Sequence, residues 1–488
     1  MQNFAVRQRG DVASSFEYVE GWGMAIGAHA RVLRPRSTEE ILRAFELARR
    51  DGVSLALRGG GNSYGDASVN ERGYVLDISR MDRVLAFDRE SGVVVAEPGV
   101  TIEKLWKTIL PHGFWPRVVS GTMFPTLAGA LAANIHGKNN FAVGTIGDAC
   151  REFDIVLPTG ELRTCSRERN ADLFHAAIGG FGLLGCFSRI VLETKHIYSG
   201  NVRVRGISTR NLREMMQYFE ANKTRADYLV GWIDCFPGGD DSGRGLIHDA
   251  EYLKPGEDAH PEDTLRIAHQ ELPANIMGLF PKSQVWRILS LFNTDLGMRS
   301  INAAKYVAGM LEGLGEPYLQ SHAGFSFLLD YVPNWKWAYG RQRVDRGLIQ
   351  YQPFVPDAVA HEVHTELLAR CRKVGQVPYL GVFKRHRPDP FWLTHAVDGW
   401  SFALDFKVTP TRRAQLWKLC DELTEVVIAA GGRFYFAKDA VVAAEDTARF
   451  LPHDKLAAFA KLKRACDPET LLDGNLYRRA FRDWLVAS

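Results

Sequence analysis

Val53-Ser-Leu-Ala-Leu-Arg-Gly-Gly-Gly-Asn-Ser-Tyr-Gly-Asp66 joins a short apolar run to a glycine loop. The apolar run reads as a buried strand. Three consecutive glycines, Gly59, Gly60 and Gly61, then admit positive φ and let successive N–H groups approach a ligand, a concavity suited to phosphate oxygens. Ser63 adds a hydroxyl donor. The same composition also makes a tight turn that binds nothing, so the loop must be weighed against the rest of the chain. It is not a dinucleotide fingerprint, because Tyr64 takes the third glycine position of G-x-G-x-x-G.

Working outward, Arg31–Pro35 reads as a strand, and Ser37-Thr-Glu-Glu40 is a capping box opening a helix that runs to about Arg50. Gly52 suits a left-handed cap. Tyr74–Ile78 and Val93–Glu97 read as strands, and Thr101 caps a helix through Leu110. Further on, Ala171–Ile178 is a helix, while Asp154–Leu157 and Ile190–Thr194 are strands. Gly180-Phe-Gly-Leu-Leu-Gly185 matches G-x-G-x-x-G in letters, but a helix precedes it and a strand follows, the reverse of the dinucleotide order. It reads as a glycine turn approaching a cofactor from another side. After about Tyr198 the texture changes to aromatic-rich strands and longer helices. This segment carries polar interruptions at Pro237–Gly245 and Lys254–Asp263, which suit a lid over an active site or plain surface loops. The pattern is α+β.

The 488 residues exceed one ordinary core, so two or three domains are expected. With 60 Lys+Arg against 57 Asp+Glu the net charge is only +3, too weak a field to argue for nucleic acid. The seven cysteines are scattered and form no C-x-x-C pair, which points to a reducing, cytoplasmic setting and to no metal site. Residues 1–15 have no apolar stretch like a secretory signal, and no run of about 18 apolar residues suggests a spanning helix. Peripheral membrane contact stays open, since it needs only a local amphipathic surface.

A second signal is Ser120-Gly-Thr-Met-Phe-Pro-Thr-Leu-Ala-Gly-Ala-Leu-Ala-Ala-Asn-Ile-His-Gly-Lys-Asn139. Small residues in this density let backbone lie against a flat ring system, with titratable His136 and cationic Lys138 at the exit. Taken alone, His136 reads first as the satisfied structural histidine common in proteins.

The glycine loop and this segment combine with Gly144-Thr-Ile-Gly-Asp148, Asp172-Leu-Phe174, Gly179-Gly180 and the terminal Asp467-Pro-Glu-Thr-Leu471. In that order, over effectively the whole chain, they resemble the vanillyl-alcohol oxidase and p-cresol methylhydroxylase superfamily of FAD enzymes. Within it, His136-Gly-Lys-Asn139, Ile349-Gln-Tyr-Gln352, Val382-Phe-Lys384, Gly399-Trp400 with Asp405-Phe406, and Tyr435-Phe-Ala-Lys-Asp439 are similar to the decaprenylphosphoryl-ribose oxidase family, flavoproteins of a 2′-epimerase system. The resemblance implies a two-part FAD-binding domain, residues 1–198 and 433–488. Between them, at 199–432, lies an inserted substrate domain of antiparallel sheet and helices.

It further implies FAD with its pyrophosphate over Arg58, Gly59, Gly60, Gly61, Asn62, Ser63, Tyr64 and Gly65. The cofactor would also be lined by Gly121, Thr126, Leu127, Ala128, Gly129, His136, Gly137, Lys138, Asn139, Phe187 and Tyr435. Many relatives tether flavin through a histidine in the first glycine loop; Asn62 stands there, and no cysteine follows Gly121, so the FAD is expected to be non-covalent. Tyr64, His136, Lys138, Gln350, Gln352 and Lys384 match the family's sugar site, and Lys438 matches its essential lysine. Gln350 and Gln352 are two apart, hence on one face of a strand.

The chemistry so implied is oxidation of a secondary alcohol on a lipid-linked sugar by hydride transfer to flavin N5, which needs a base and a charge stabiliser near the reacting carbon. The general base is open between His136 and Lys438. A partner reductase would complete an epimerisation. Ala403 occupies the place of a cysteine in the family's nearest relatives, so covalent capture of an inhibitor there is expected to fail. Alternatives are an alditol or sugar-lactone oxidase acting on a soluble polyol, and a flavin-binding protein whose chemistry has lapsed.

Overall fold

The computed structural model describes residues 12–276, 280–312, 316–340 and 346–487. Residues 1–11, where the sequence shows no leader-like stretch, lie outside the described residues.

Four strands make the first sheet, in the order Ser14–Glu20, Gly27–Leu33, Gly73–Asp77, Ser54–Arg58. The first pair is antiparallel and the others parallel. The parallel part is possible because helix Thr38–Arg50 carries the chain across it. Ser37 Oγ accepts from the Glu40 N–H at 3.3 Å, as the capping box requires. The Glu40 carboxylate takes the Arg36 N–H at 2.8 Å, one residue earlier than the usual partner. Gly52 closes the helix at φ +65°. The expected strand Arg31–Pro35 starts earlier and stops at Leu33. The Ser14–Glu20 strand was not foreseen: its run SSFEYVE has one apolar face only partly covered.

A second, antiparallel sheet is built on the long strand Cys186–His196, which pairs with Val93–Ala96, Cys150–Val156 and Phe114–Pro116. Helix Ile102–Ile109 is capped by Thr101, as expected, and ends one residue early where Leu110–His112 tightens into a 3₁₀ turn with Pro111 near its start.

The largest sheet is antiparallel and nine-stranded. Its order is Tyr318–Ser321, Asn201–Thr209, Gly245–Tyr252, Tyr228–Ile233, Leu380–His386, Gly399–Val408, Pro353–Pro356, Arg433–Phe434, with Gly347–Tyr351 also paired to Gly399–Val408. Along Gly399–Val408 large apolar residues alternate with small or polar ones. Trp400 and Phe402 meet Phe219 and His364 of helices Leu212–Asn222 and Asp357–Val374. The opposite face carries Ser401, Ala403 and Asp405, and this second face is the floor of the site. The C-terminal part folds back onto the first sheet: Leu55 N–H donates to Leu471 O at 2.8 Å, and buried Lys463 donates to Leu183 O at 2.9 Å and pairs with Asp467 at 2.6 Å.

Candidate active site

The glycine loop, the 119–138 segment and the floor of the large sheet enclose a cavity of about 520 Å3. At one end lie Arg58–Ser63, with Gly61 at φ +66°. Among the described residues no protein acceptor takes the N–H groups of residues 59–63, whereas the next one, of Tyr64, is taken by Ala437 O at 2.9 Å. Arg58 props the loop from behind, donating to Glu20 O at 3.1 Å and Ser68 Oγ at 3.0 Å. A row of unpaired amides against a cavity fits a diphosphate and has little other use. Gly59 is needed for close approach as well: a Cβ there would stand 2.1 Å from Thr126 Oγ1. Thr126 in turn caps helix Leu127–Ala132 by accepting from the Gly129 N–H at 3.2 Å.

Of the residues singled out from the sequence, Arg58 to Ser63, Gly121, Thr126, Ala128, Gly129, His136, Lys138, Phe187, Gln350, Gln352, Lys384, Tyr435 and Lys438 reach the cavity wall. Five others do not. Gly65 packs on backbone, a Cβ there meeting Asp439 O at 2.0 Å. Leu127 is core, its N–H donated to Val100 O at 2.7 Å. Gly137 sits against Asn139, whose amide donates to Arg117 O at 3.0 Å. Tyr64 lies behind Lys438, its ring centroid 3.9 Å from the ammonium. Phe181, Gly182 and Gly185 also reach the wall, so the Gly180–Gly185 turn does approach the cavity from another side.

The polar floor is set by register. Gln350 stands opposite Asp405, and the Gln350 amide donates to the Asp405 carboxylate. Gln352 reaches His136 Nε2 and Ser401 Oγ, each at 3.3 Å, and Ser401 meets His386 Nε2 at 2.7 Å. Burial pushes the His136 pKa well below the usual histidine value, and Lys384, His386, His395 and Lys438 push it the same way, so its imidazole is neutral. Burial also lowers the Lys384 pKa, to about 8. Burial brings Lys438 down from the ordinary lysine range and lifts Asp405 above the ordinary carboxylate range, while each opposes the other's shift through its charge.

The sequence reading gave no role at the site to Asp405, Ser401 or His386, nor to Lys305 and His248, two further residues of the wall. The period-two alternation of Gly399–Val408 was the available signal for Asp405, since it shares a face with Ala403. The two polar interruptions read as lid candidates, Pro237–Gly245 and Lys254–Asp263, contribute nothing to the wall. Instead residues of the segments Leu289–Lys305 and Leu328–Tyr339, many of them apolar, line it.

Residues 29–166 match the family described as FAD binding domain. The chain is 28% identical to decaprenylphosphoryl-β-D-ribose oxidase of Mycolicibacterium smegmatis over 468 residues, 94% of this chain and 96% of that protein. It is 26% identical to a putative D-arabinono-1,4-lactone oxidase of Neurospora crassa over 34% of this chain and 30% of that protein. With L-gulonolactone oxidase of Mus musculus the identity is 25%, over 36% of this chain and 39% of that protein. The unpaired amides, the cavity beside them and these similarities agree: the chain is an FAD-dependent oxidoreductase carrying an FAD-binding domain of the p-cresol methylhydroxylase type.

Proposed function

We propose that the chain oxidises a secondary alcohol of a phosphate-bearing sugar, a polyprenyl-phosphoryl pentose. One observation carries this reading. The wall of the cavity presents Arg58, Lys138, Lys305, Lys384 and Lys438, and among the described residues no Asp or Glu. Arg58 belongs to the diphosphate end and Lys438 faces the charge of Asp405, which leaves Lys138, Lys305 and Lys384 for something else. Lysines that line a cavity with no carboxylate beside them on its wall favour a ligand that brings negative charge. A neutral polyol supplies none, which disfavours an alditol or sugar-lactone oxidase despite the partial similarity to lactone oxidases.

Bound FAD supplies the hydride acceptor. The chain's own residues do the rest. Gln350 and Gln352 offer amides to sugar hydroxyls from the floor. His136 is a poor base, because its protonated form would sit among three cationic or titratable neighbours and Lys438. Lys438 is the better proton acceptor: burial brings it toward neutrality, where a base works best. The charge of buried Asp405 opposes that shift. As the carbon-bound hydrogen leaves with its electron pair, the hydroxyl O–H breaks and its proton passes to Lys438 Nζ. The ammonium so formed lies over the Tyr64 ring.

The division into a cofactor part, 1–198 with 433–488, and a substrate part, 199–432, is supported by the return of the C-terminal segment to the first sheet. Asn62, whose amide donates to Gly60 O at 3.0 Å, offers no tether, which supports a non-covalent FAD. No described helix is long and apolar enough to cross a membrane. Helices Val285–Phe292 and Asp295–Glu312, however, expose Leu291 at 79% and Leu296 at 76% beside the cavity wall, which supports contact with a lipid surface.

Adding polyprenyl-phosphoryl pentoses to the purified holoprotein without oxygen tests the reading. Bleaching of the yellow flavin by the phosphodiester but not by free alditols is expected; bleaching by alditols alone would overturn it.

A further inference from the structure

Lys305 and His248 belong to neither the reacting end nor the glycine loop, yet both line the cavity. On helix Asp295–Glu312, Met298, Ile301, Asn302 and Lys305 follow i, i+3, i+4, i+7 spacing, and all four reach the wall. One helix face therefore carries apolar side chains and ends in a cation. The Lys305 ammonium is held 4.5 Å from the ring centroid of Trp232. Trp232 pairs across the sheet with Val382, which pairs with Ala403 on the floor.

His248 is fixed by the same sheet. It stands opposite Val230, and the Val230 strand is the neighbour of the strand bearing Lys384. His248 thus lies two strands from Lys384, roughly 10 Å at the usual spacing. Lys138 is tied to the strand between them, and its ammonium donates to Phe325 O. Its backbone O accepts from the Leu229 N–H at 2.9 Å, and its ammonium lies 4.3 Å from the Phe325 ring centroid. Burial lowers the pKa values of Lys138 and His248, and the neighbouring cations add to it, Lys384 on Lys138 and then Lys138 and Lys305 on His248. No carboxylate among the described residues forms an ion pair with Lys138, His248 or Lys305.

We propose that Lys305, His248 and Lys138 form a phosphate subsite, its His248 two strands from the one that bears Lys384. This rests on the anionic-sugar reading above and deepens it. The phosphodiester is held there by charge and N–H donors, the sugar reaches back over the floor, and the tail leaves along Met298 and Ile301.

The subsite is tested without turnover. Decyl phosphate and decanol are titrated into the holoprotein, and the perturbation of the flavin spectrum gives each affinity. The native chain is expected to prefer decyl phosphate by about tenfold or more. Lys305→Met and His248→Gln should each lose most of that preference while leaving decanol binding and flavin content unchanged, and Lys305→Arg should keep it. A native chain with no preference, or variants that keep it, overturns the subsite. Failure of the sugar reading is seen separately, as a phosphodiester pentose that binds with the same preference but does not bleach the flavin.

Discussion

Gln350 and Asp405 face each other across neighbouring strands, and the amide of the first donates to the carboxylate of the second. Burial lowers the Lys438 pKa, and the charge of Asp405 holds back part of that fall. Asp405→Asn keeps the shape and removes the charge, so Lys438 loses its proton at lower pH. The pH profile of anaerobic flavin reduction, which should climb as Lys438 becomes neutral, is expected to move to lower pH, with a reduced plateau. An unmoved profile would detach Lys438 from the role of base.

Lys384 gives a prediction with two signs. Its folded pKa, about 8, lies below the ordinary lysine value because of burial. Below about pH 8 the folded state holds a proton it binds weakly, and this lysine's contribution to stability improves as pH rises from there toward the ordinary value. Lys384→Met should therefore stabilise the fold at pH 7, by roughly 1–3 kcal/mol in thermal or denaturant unfolding, while raising KM for a phosphorylated substrate. In the native chain that KM should rise above about pH 8, and Lys384→Arg should abolish the rise.

Arg479 grips Asp66 with two N–H···O bonds of 2.8 Å and reaches Asp439 at 2.7 Å. Asp66 follows the glycine loop and Asp439 follows Lys438, so one guanidinium ties both ends of the site. Arg479→Ala leaves two buried carboxylates unpaired and should destabilise the chain by about 3 kcal/mol or more. Arg479→Lys should fold but release flavin more readily on dialysis. Retention equal to native would make the clamp dispensable for the cofactor.

All seven cysteines are buried. Even Cys186, on the cavity wall, has its thiol pushed up to about 12 by burial. The native chain should take up almost no iodoacetamide at neutral pH, since the thiolate is the reactive form. Ala403→Cys places a thiol on the wall, and one equivalent of label, blocked by substrate, is expected by mass spectrometry.

Leu291→Glu with Leu296→Glu should abolish co-sedimentation with anionic lipid vesicles and leave reduction by a short-chain soluble substrate unchanged. Loss of both activities would mean that the helices serve the fold rather than a lipid surface.

The cofactor end was legible because its signals are local. A strand running into Gly59–Gly61 and a threonine three residues before Gly129 each specify a backbone shape within a few residues. The substrate end is assembled from register between distant strands. Gln350 and Asp405 are 55 residues apart, and only pairing brings them together. His248 and Lys305 carry no local pattern beyond a strand and a helix face, so sequence alone assigned them nothing. The lid was misplaced for a related reason: polar, proline-bearing stretches mark the surface, whereas the segments that line this cavity do so with many apolar residues.

The Arg479 clamp sets an order of assembly. During synthesis the glycine loop emerges within the first sixty or so residues, yet the guanidinium that secures it to Lys438's segment is not made until more than four hundred later. A nascent chain that stops short of Arg479 holds the amides without this brace between Asp66 and Asp439.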